Sequence, residues 1–505
     1  MVNRLRTTSA LAAVILLAGA CGSSNATPTT APTASPAAAT ESAAPTASAA
    51  ASASAPASAA ASPSASAAAM LPTVPTGYTE LDKALGTGMP YKGTKVDIQV
   101  QWTGGELNNF QASLADFAKA TGITINVDSV PSSPETVLKS RVEGGSPPDL
   151  AQLAQPTSVL AYGAEGKAKD MALLMDGAKL TKEHPATIGL VTQGSHIWGI
   201  PYKADVKSTV WYPIKAFQAK GYQVPTTWDQ LIALSDKIVA DGSNPWCISA
   251  GGPGDATGWQ ITDWVEQVVL TTKGLQYYND WISHKVTFED PGIKAAFDQY
   301  VGKIFFTDKY VYGGPQAIVN TDQKTTMDPM FNPGNGDMSA PKCWMQKVPT
   351  WYGPDFFPDQ RANGTPSVYK VGTDVGIFKF PTIDPSQNNV EGSADTMMAF
   401  ADRPEVRAVA QFLAVPAGLQ AWIAAGSAIS TNTTTPADWY AGSYKLQVAS
   451  DIVNKASGIG FDASDLMPAA VGSGSFWTQS VDWVNQGGKN TDAVLKAIDD
   501  SWPKS

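Results

Sequence analysis

Val96-Asp-Ile-Gln-Val-Gln-Trp-Thr-Gly-Gly-Glu106 opens the folded part of this chain as a strand that breaks on two glycines. Val96, Ile98, Val100 and Trp102 alternate with polar residues, the period of a half-buried strand. Phe110, Leu114, Phe117 and Ala118 then recur at helical spacing, and Gly122 stops that helix. Ile123, Ile125 and Val127 alternate as a second strand. The pattern predicts a helix over Pro134–Val142, a break over Gly144–Pro148 and a third strand over Asp149–Leu153. The order βαβαβ predicts an α/β fold, with a mostly parallel sheet covered by helices. Ligands of such sheets collect beyond the carboxyl ends of the strands. Trp102–Glu106 and Gln155-Pro156 fall at two such ends. The same grammar continues downstream. Thr227, with Gln230 three residues on, opens a helix that Asp241-Gly242 stops, and Arg403-Pro404-Glu405 opens another.

Upstream, the chain reads as an export signal and a spacer. Arg4 and Arg6 precede an apolar run from Leu11 to Leu17 and the small residues Ala18-Gly19-Ala20. That is a signal peptide with its cleavage site. Cys21 follows the cut, where bacterial lipoproteins carry their lipid acceptor. Ala18 stands where those signals usually place leucine, with Leu17 beside it, and the other reading is an ordinary signal followed by a stray cysteine. Residues 22–75 are almost wholly Ala, Ser, Thr and Pro, with Glu41 the only charge. Such a segment buries too little to offset the entropy of ordering and is expected to be a disordered tether.

The rest of the chain is long enough for two domains, and 43% hydrophobic content supports sizeable cores. No later apolar stretch reaches the length of a membrane span. The formal net charge is −10, and loss of Arg4 and Arg6 makes it more negative. That acidity argues against nucleic acid and anionic lipid as partners. Besides Cys21 the chain has Cys247 and Cys343. In an exported protein this pair predicts a disulfide, the alternative being two buried thiols. It would close a loop of nearly a hundred residues, worth roughly 4–5 kcal/mol at most in the entropic treatment. His184, His196 and His284 are scattered without ligand spacing, so no metal or cofactor is expected. Neither a Gly-x-Ser-x-Gly elbow nor His-Glu-x-x-His occurs. Gly251-Gly-Pro-Gly-Asp255 lacks the lysine of a phosphate loop. An acidic chain always offers carboxylate pairs, so a secreted glycosidase stays open.

Tryptophan and acids recur at the breaks between elements: Trp102 with Glu106, Gln155, Asp205 with Lys207, Asp255 with Trp259, Trp344, and Phe476-Trp477. Sugars present apolar C–H faces and a rim of hydroxyls, which flat rings and carboxylates bind. Further segments carry a resemblance: Pro148-Asp-Leu-Ala-Gln-Leu-Ala-Gln-Pro156, Gly199-Ile-Pro-Tyr-Lys-Ala-Asp-Val-Lys-Ser208, Pro225-Thr-Thr-Trp228, Pro245-Trp-Cys247, Ala256-Thr-Gly-Trp-Gln-Ile-Thr-Asp-Trp264, Lys342-Cys-Trp-Met345, and Asp465-Leu-Met-Pro468 through Gly474-Ser-Phe-Trp477. In this order they resemble bacterial extracellular solute-binding proteins of the maltose-binding type, and within these the α-glucoside-binding proteins of ABC importers.

The resemblance implies a two-lobed periplasmic-binding-protein-like fold (type II), closing on a hinge with three crossing segments. These would fall near Lys203–Lys207, Ser393–Thr396 and Ser430–Thr435. Residues 76–204 and 394–430 would form the first lobe, and 205–393 and 431–505 the second. It implies Trp344 and Trp477 as stacking platforms of the second lobe, and Glu106, Asp205 and Asp255 as hydroxyl acceptors. Trp259 and Gln155 are further contacts; Gln155 stands where maltose-binding relatives place an aspartate. Asp395 belongs to the second crossing. Asp395, Trp102 and Lys207 are implied as further ligand contacts, although Trp102 reads equally as strand core and Lys207 as no more than a partner of Asp205; Trp264 reads as helix core. The implied function is a lipid-anchored, monomeric receptor without enzymatic activity. It would capture an α-glucoside or related oligosaccharide for ABC permease subunits and their ATPase, from the outer face of the cytoplasmic membrane. Receptors for a polyol, amino acid or polyamine, and an adhesion lipoprotein, are the other readings.

Overall fold

A computed structural model describes residues 71–252, 257–331, 338–363 and 367–504. The signal, Cys21, most of the expected tether and Asp255 lie outside the described residues.

The predicted βαβαβ unit is present. The strand Lys95–Val100 pairs in parallel with both Thr124–Ser129 and Leu150–Leu153. Between them lie the helices Gly104–Thr121 and Pro134–Glu143. Gly122 closes the first helix at φ +70°, and its N–H donates to the Ala118 carbonyl, a left-handed cap that glycine adopts without strain. Trp102 lies just past the strand end.

The sheet continues through two long strands, Ile200–Val206 and Asn389–Ala399, which run antiparallel. The second has eleven residues and serves three neighbours. Its Thr396–Ala399 end pairs with Leu150–Leu153, its middle with Ile200–Val206, and its Asn389–Gly392 end with Gly458–Phe461. A separate four-stranded sheet runs Val375–Lys379, Thr209–Pro213, Cys343–Lys347, Asn244–Trp246.

These sheets serve different cores. One collects apolar residues from Tyr78 to Tyr202 and again from Met397 to Leu446. The other runs from Val210 to Phe380 and from Ala463 to Ile498. The chain therefore forms two lobes, joined where Ile200–Val206 and Asn389–Ala399 pass between them. The last departure differs from the expected one at Ser430–Thr435. Trp439 and Tyr440 still pack on the first core. Thr431 Oγ1 donates to the Pro201 carbonyl (2.7 Å), and Asn432 Nδ2 to that of Ala414 (2.9 Å). The chain leaves within the helix Tyr444–Lys455, whose Ala449 and Ile452 meet Val206 and Val390 in a small core of their own. Two aromatic rings needing cover hold this segment to the first lobe.

Thr227 accepts from the Gln230 N–H (3.3 Å) as the cap of the helix Trp228–Ala240. The return bond goes one residue earlier: Gln230 Oε1 accepts from the Thr226 N–H at 2.8 Å. Cys247 and Cys343 form the expected disulfide, with Cα atoms 5.4 Å apart. It ties the edge strand of the second sheet to its neighbour, beside a third apolar cluster that includes Trp211 and Tyr352. Reduction should lower the unfolding free energy, by at most about 5 kcal/mol for a loop of this length. Urea titrations of the oxidised and reduced protein measure this; coincident curves would show that the bridge contributes nothing.

Candidate functional site

A cavity of about 180 Å³ lies where the two lobes face each other. The first lobe supplies loops at the carboxyl ends of its strands. Trp102 is largely core, packed at 5.0 Å from Phe110 and edge-on at 4.8 Å from Trp422, yet it reaches the cavity wall. Glu106, in the first turn of the helix Gly104–Thr121, faces the cavity and is half-buried. Gln155 precedes the helix Pro156–Ala164, and its Nε2 donates across to Asp465 Oδ1 of the second lobe (3.0 Å).

The second lobe supplies three indoles. Trp259 starts the helix Trp259–Ile282. Gly258, at φ +120°, lets that start sit against the main chain of Trp477, where a Cβ would lie 2.4 Å from the Trp477 carbonyl oxygen. Trp477 is held by its indole N–H, which donates to Ser464 Oγ (3.1 Å). Trp351 stands 6.0 Å from Trp259, ring centre to ring centre. All three line the cavity.

The floor is charged and internally paired. Lys203 Nζ bonds Asp205 at 2.5 Å and Asp395 at 3.1 Å. Asp395 also accepts from Gln152 Nε2 (2.8 Å), and Asp205 from Thr350 Oγ1 (3.2 Å). Lys207 pairs with Asp263 (2.8 Å) and Asp462, not with Asp205 as one reading allowed. Burial alone would lower both ammonium groups, but the carboxylates around them hold them above the usual lysine range. Asp263, Asp462 and Glu391 converge closely enough to share a cation, and the cation bonded to two of them is Lys207.

Glu106 differs from its neighbours. Its carboxylate forms no hydrogen bond or ion pair among the described residues. Burial pushes its carboxyl from an ordinary 4.5 up to about 8. Lys203 pulls it down, while Asp395, Asp205 and Asp355 push it further up. An acceptor facing a cavity without a donor of its own is made to receive one from a ligand.

Trp344 corrects an expectation. It lies on the strand Cys343–Lys347 with its ring in the second core, 5.0 Å from Tyr222 and 5.9 Å from Phe217. Its N–H donates to Ser243 Oγ (2.9 Å). It does not line the cavity, because that face of the strand packs against its own lobe. Trp351, seven residues on, reaches the cavity from a turn, Pro349-Thr-Trp-Tyr-Gly-Pro354. An aromatic residue within such a break was the available signal. Lys203, Lys324, Asp462 and Asp465 also line the cavity without having been singled out. A lysine amid the apolar run of a crossing strand could have marked the first of them.

Among the described residues, hydrogen bonds besides the strands join the lobes around the cavity: Gln155 Nε2 to Asp465 Oδ1, Thr157 Oγ1 to the Asp465 carbonyl (3.0 Å), Lys324 Nζ to Thr103 Oγ1 (3.0 Å), and Asn109 Nδ2 to Asp355 Oδ2 (3.5 Å). Asp355 packs directly over Gly105, where a Cβ would fall 1.9 Å from its Cγ.

A two-lobed α/β protein with a polar, aromatic cavity between its lobes is a ligand-capturing architecture. Residues 103–420 match the family described as bacterial extracellular solute-binding protein. The chain is 32% identical over 425 residues to the alpha-glucosides-binding periplasmic protein AglE of Rhizobium meliloti (strain 1021), covering 82% of this chain and 88% of that one. It is 31% identical over 407 residues to the osmoprotective compounds-binding protein GgtB of Synechocystis sp. (strain ATCC 27184 / PCC 6803 / Kazusa), covering 79% and 90%. Among solved structures, maltose-bound T. maritima MalE3 superposes with a TM-score of 0.62 at 15% identity, over 81% of this chain and 98% of that one. RafE in complex with raffinose gives 0.60 at 16%, over 81% and 98%. The chain belongs to the bacterial extracellular solute-binding proteins. It is an extracytoplasmic binding protein rather than an enzyme.

Two predictions follow from the geometry. Trp344→Ala should cost about 3–5 kcal/mol of stability, as large core truncations do, and leave affinity near wild type. Trp477→Ala and Trp351→Ala should instead weaken binding by about 1–3 kcal/mol each, the value of burying a large apolar side chain. Urea unfolding and calorimetric titration separate the two; the reverse pattern would restore Trp344 to the site. The second prediction concerns pH. With a folded value above 4.5, Glu106 holds its proton more tightly folded than unfolded. Its contribution to stability is full below about 4.5 and is lost as pH rises through about 8. Glu106→Gln should flatten the melting-temperature profile between about pH 5 and 8 and exceed wild type at the upper end. Parallel profiles would place the proton elsewhere.

Proposed function

We propose that this protein is the receptor of an ABC importer for an α-glucoside, tethered by lipid on Cys21 to the outer face of the cytoplasmic membrane. The observation that carries the reading is the pairing of Glu106, an acceptor without a donor, with the Trp259, Trp351 and Trp477 indoles around one cavity. A pyranose has what both need: C–H faces for flat rings and hydroxyls for a buried carboxyl group, which accepts and donates. Asp205 and Asp395 are paired with Lys203, and Asp462 with Lys207. These carboxylates present their remaining lone pairs to hydroxyls rather than demanding a cation. The relative named for alpha-glucosides, 32% identical over most of both chains, supports the same ligand class.

On this reading the ligand favours the closed arrangement because only that arrangement contacts it from both lobes. Gln155 and Asp465, Lys324 and Thr103, and Asn109 and Asp355 then seal the edges. The permease subunits receive the sugar from the closed receptor.

Calorimetric titration of the purified mature protein tests this directly. Maltose, trehalose and sucrose should include at least one ligand bound in the micromolar range or tighter. Amino acids and polyamines should give no heat beyond dilution. Binding of an amino acid or polyamine with none of any sugar would overturn the carbohydrate assignment.

A further inference from the structure

Trp351 reaches the cavity from a turn that is pinned on either side of it. On one side, the Thr350 N–H donates to the Val206 carbonyl (3.0 Å) and Thr350 Oγ1 accepts from the Val206 N–H (2.9 Å), which hangs the turn on the strand Ile200–Val206. On the other side, the Tyr352 carbonyl accepts from Lys445 Nζ (3.0 Å). Lys445 is the second residue of the helix Tyr444–Lys455, and Leu446 beside it belongs to the core of the first lobe. The bond therefore runs from the end of the first lobe to the turn that carries Trp351.

Lys445 is buried, and among the described residues the Tyr352 carbonyl is its only hydrogen-bond partner and no carboxylate forms an ion pair with it. Burial pulls its ammonium group down to about 8; Asp205 and Asp355 pull it back up, Lys203 lowers it further and Glu106 raises it. Lys203 and Lys207 each have two carboxylates in contact. Lys445 has none, so its charge is the costlier one to keep out of water. Gly353 leaves room for it, since a Cβ there would lie 3.3 Å from Lys445 Nζ. A methionine of similar length would fill the same space without a charge. It would not hold the carbonyl next to Trp351.

We propose that Lys445 is a positioning residue for ligand binding: held by the first lobe, it fixes the Tyr352 carbonyl and so sets the Trp351 indole in the cavity. This rests on the reading of that cavity as a sugar site. Lys445 does not line the cavity, so it acts on the ligand only through the turn. Trp351 is thereby placed by two of the segments that pass between the lobes, Ile200–Val206 through Thr350 and Tyr444–Lys455 through Tyr352. Its ring also packs 5.1 Å from Phe356, which lines the cavity beside it.

Calorimetric titration of maltose, trehalose and sucrose compares the wild-type mature protein with Lys445→Met, alone and combined with Trp351→Ala or Trp477→Ala. Lys445→Gln replaces the methionine variant should that one misfold. Lys445→Met should weaken the tightest-bound sugar at least about fivefold, the low end of what loss of a large apolar contact costs. Added to Trp351→Ala it should cost nothing further, whereas with Trp477→Ala the two losses should multiply, as they do for independent sites. A lysine that only stabilised the fold would affect both contacts alike. In the ligand-free protein, amide exchange over residues 350–356 should quicken in Lys445→Met and stay unchanged elsewhere. Affinity within about twofold of wild type, the scatter of such comparisons, would overturn the proposal. So would losses that multiply with Trp351→Ala, or unchanged exchange over 350–356; each of these leaves the receptor reading intact. Wild type binding none of the three sugars would overturn both.

Discussion

Lys203 and Lys207 organise the centre of this molecule. They sit with Asp205 at alternate positions where the chain passes from the first lobe to the second, so all three face one side. Each lysine is taken out of water and held by two carboxylates: Lys203 by Asp205 and Asp395, Lys207 by Asp263 and Asp462. Burying an ammonium ion is costly unless such partners surround it, and removing one partner of a buried pair typically costs 3–5 kcal/mol. The partners come from the returning strand, from the helix Trp259–Ile282 and from the segment after Phe461. The two lysines therefore fix where four stretches of chain meet, and that meeting place is the floor of the cavity.

With the carboxylates of the floor engaged by the two lysines, the wall decides what can bind. Among the described residues Glu106 has no hydrogen-bond donor or ion-pair partner, and burial makes its charge expensive. Trp259, Trp351 and Trp477 offer flat apolar faces to the same cavity. A cation would meet Lys203 and Lys207 beneath it, and an anion would meet Glu106, Asp205, Asp395 and Asp465. A neutral molecule with hydroxyls at its edge avoids both penalties. Charge arrangement and shape thus favour the same ligand chemistry.

Much of this was legible in the chain. The alternation from Val96 to Trp102, the glycine stops and the strand at Leu150 gave the parallel unit because a period of two and a period of 3.6 read differently along a sequence. Cys247 and Cys343 paired because few cysteines left little choice. The same topological rule singled out Glu106 and Gln155 at strand ends, and both line the cavity. What failed was the assignment of Trp344 within the second lobe, whereas Trp259 and Trp477 do line the cavity. Trp344 and Trp351 have the same composition-level signal. Which one faces the cavity depends on strand register and on whether Tyr222 and Phe217 stand behind it, and those are tertiary facts. The alternative pairing of Lys207 with Asp205 does not form, and its partners Asp263 and Asp462 could not be read locally because they are distant from it in sequence. The end of the first lobe was missed because Trp439 and Tyr440 look, along the chain, like any aromatic pair in a loop.

A crystal structure of the protein grown with its tightest-binding glycoside tests the central claim most directly. The account predicts a glucosyl ring against the Trp477 indole, with one of its hydroxyls about 3 Å from the Glu106 carboxylate. A ligand bound elsewhere on the protein, or one in the cavity whose hydroxyls leave Glu106 without a partner, would contradict it.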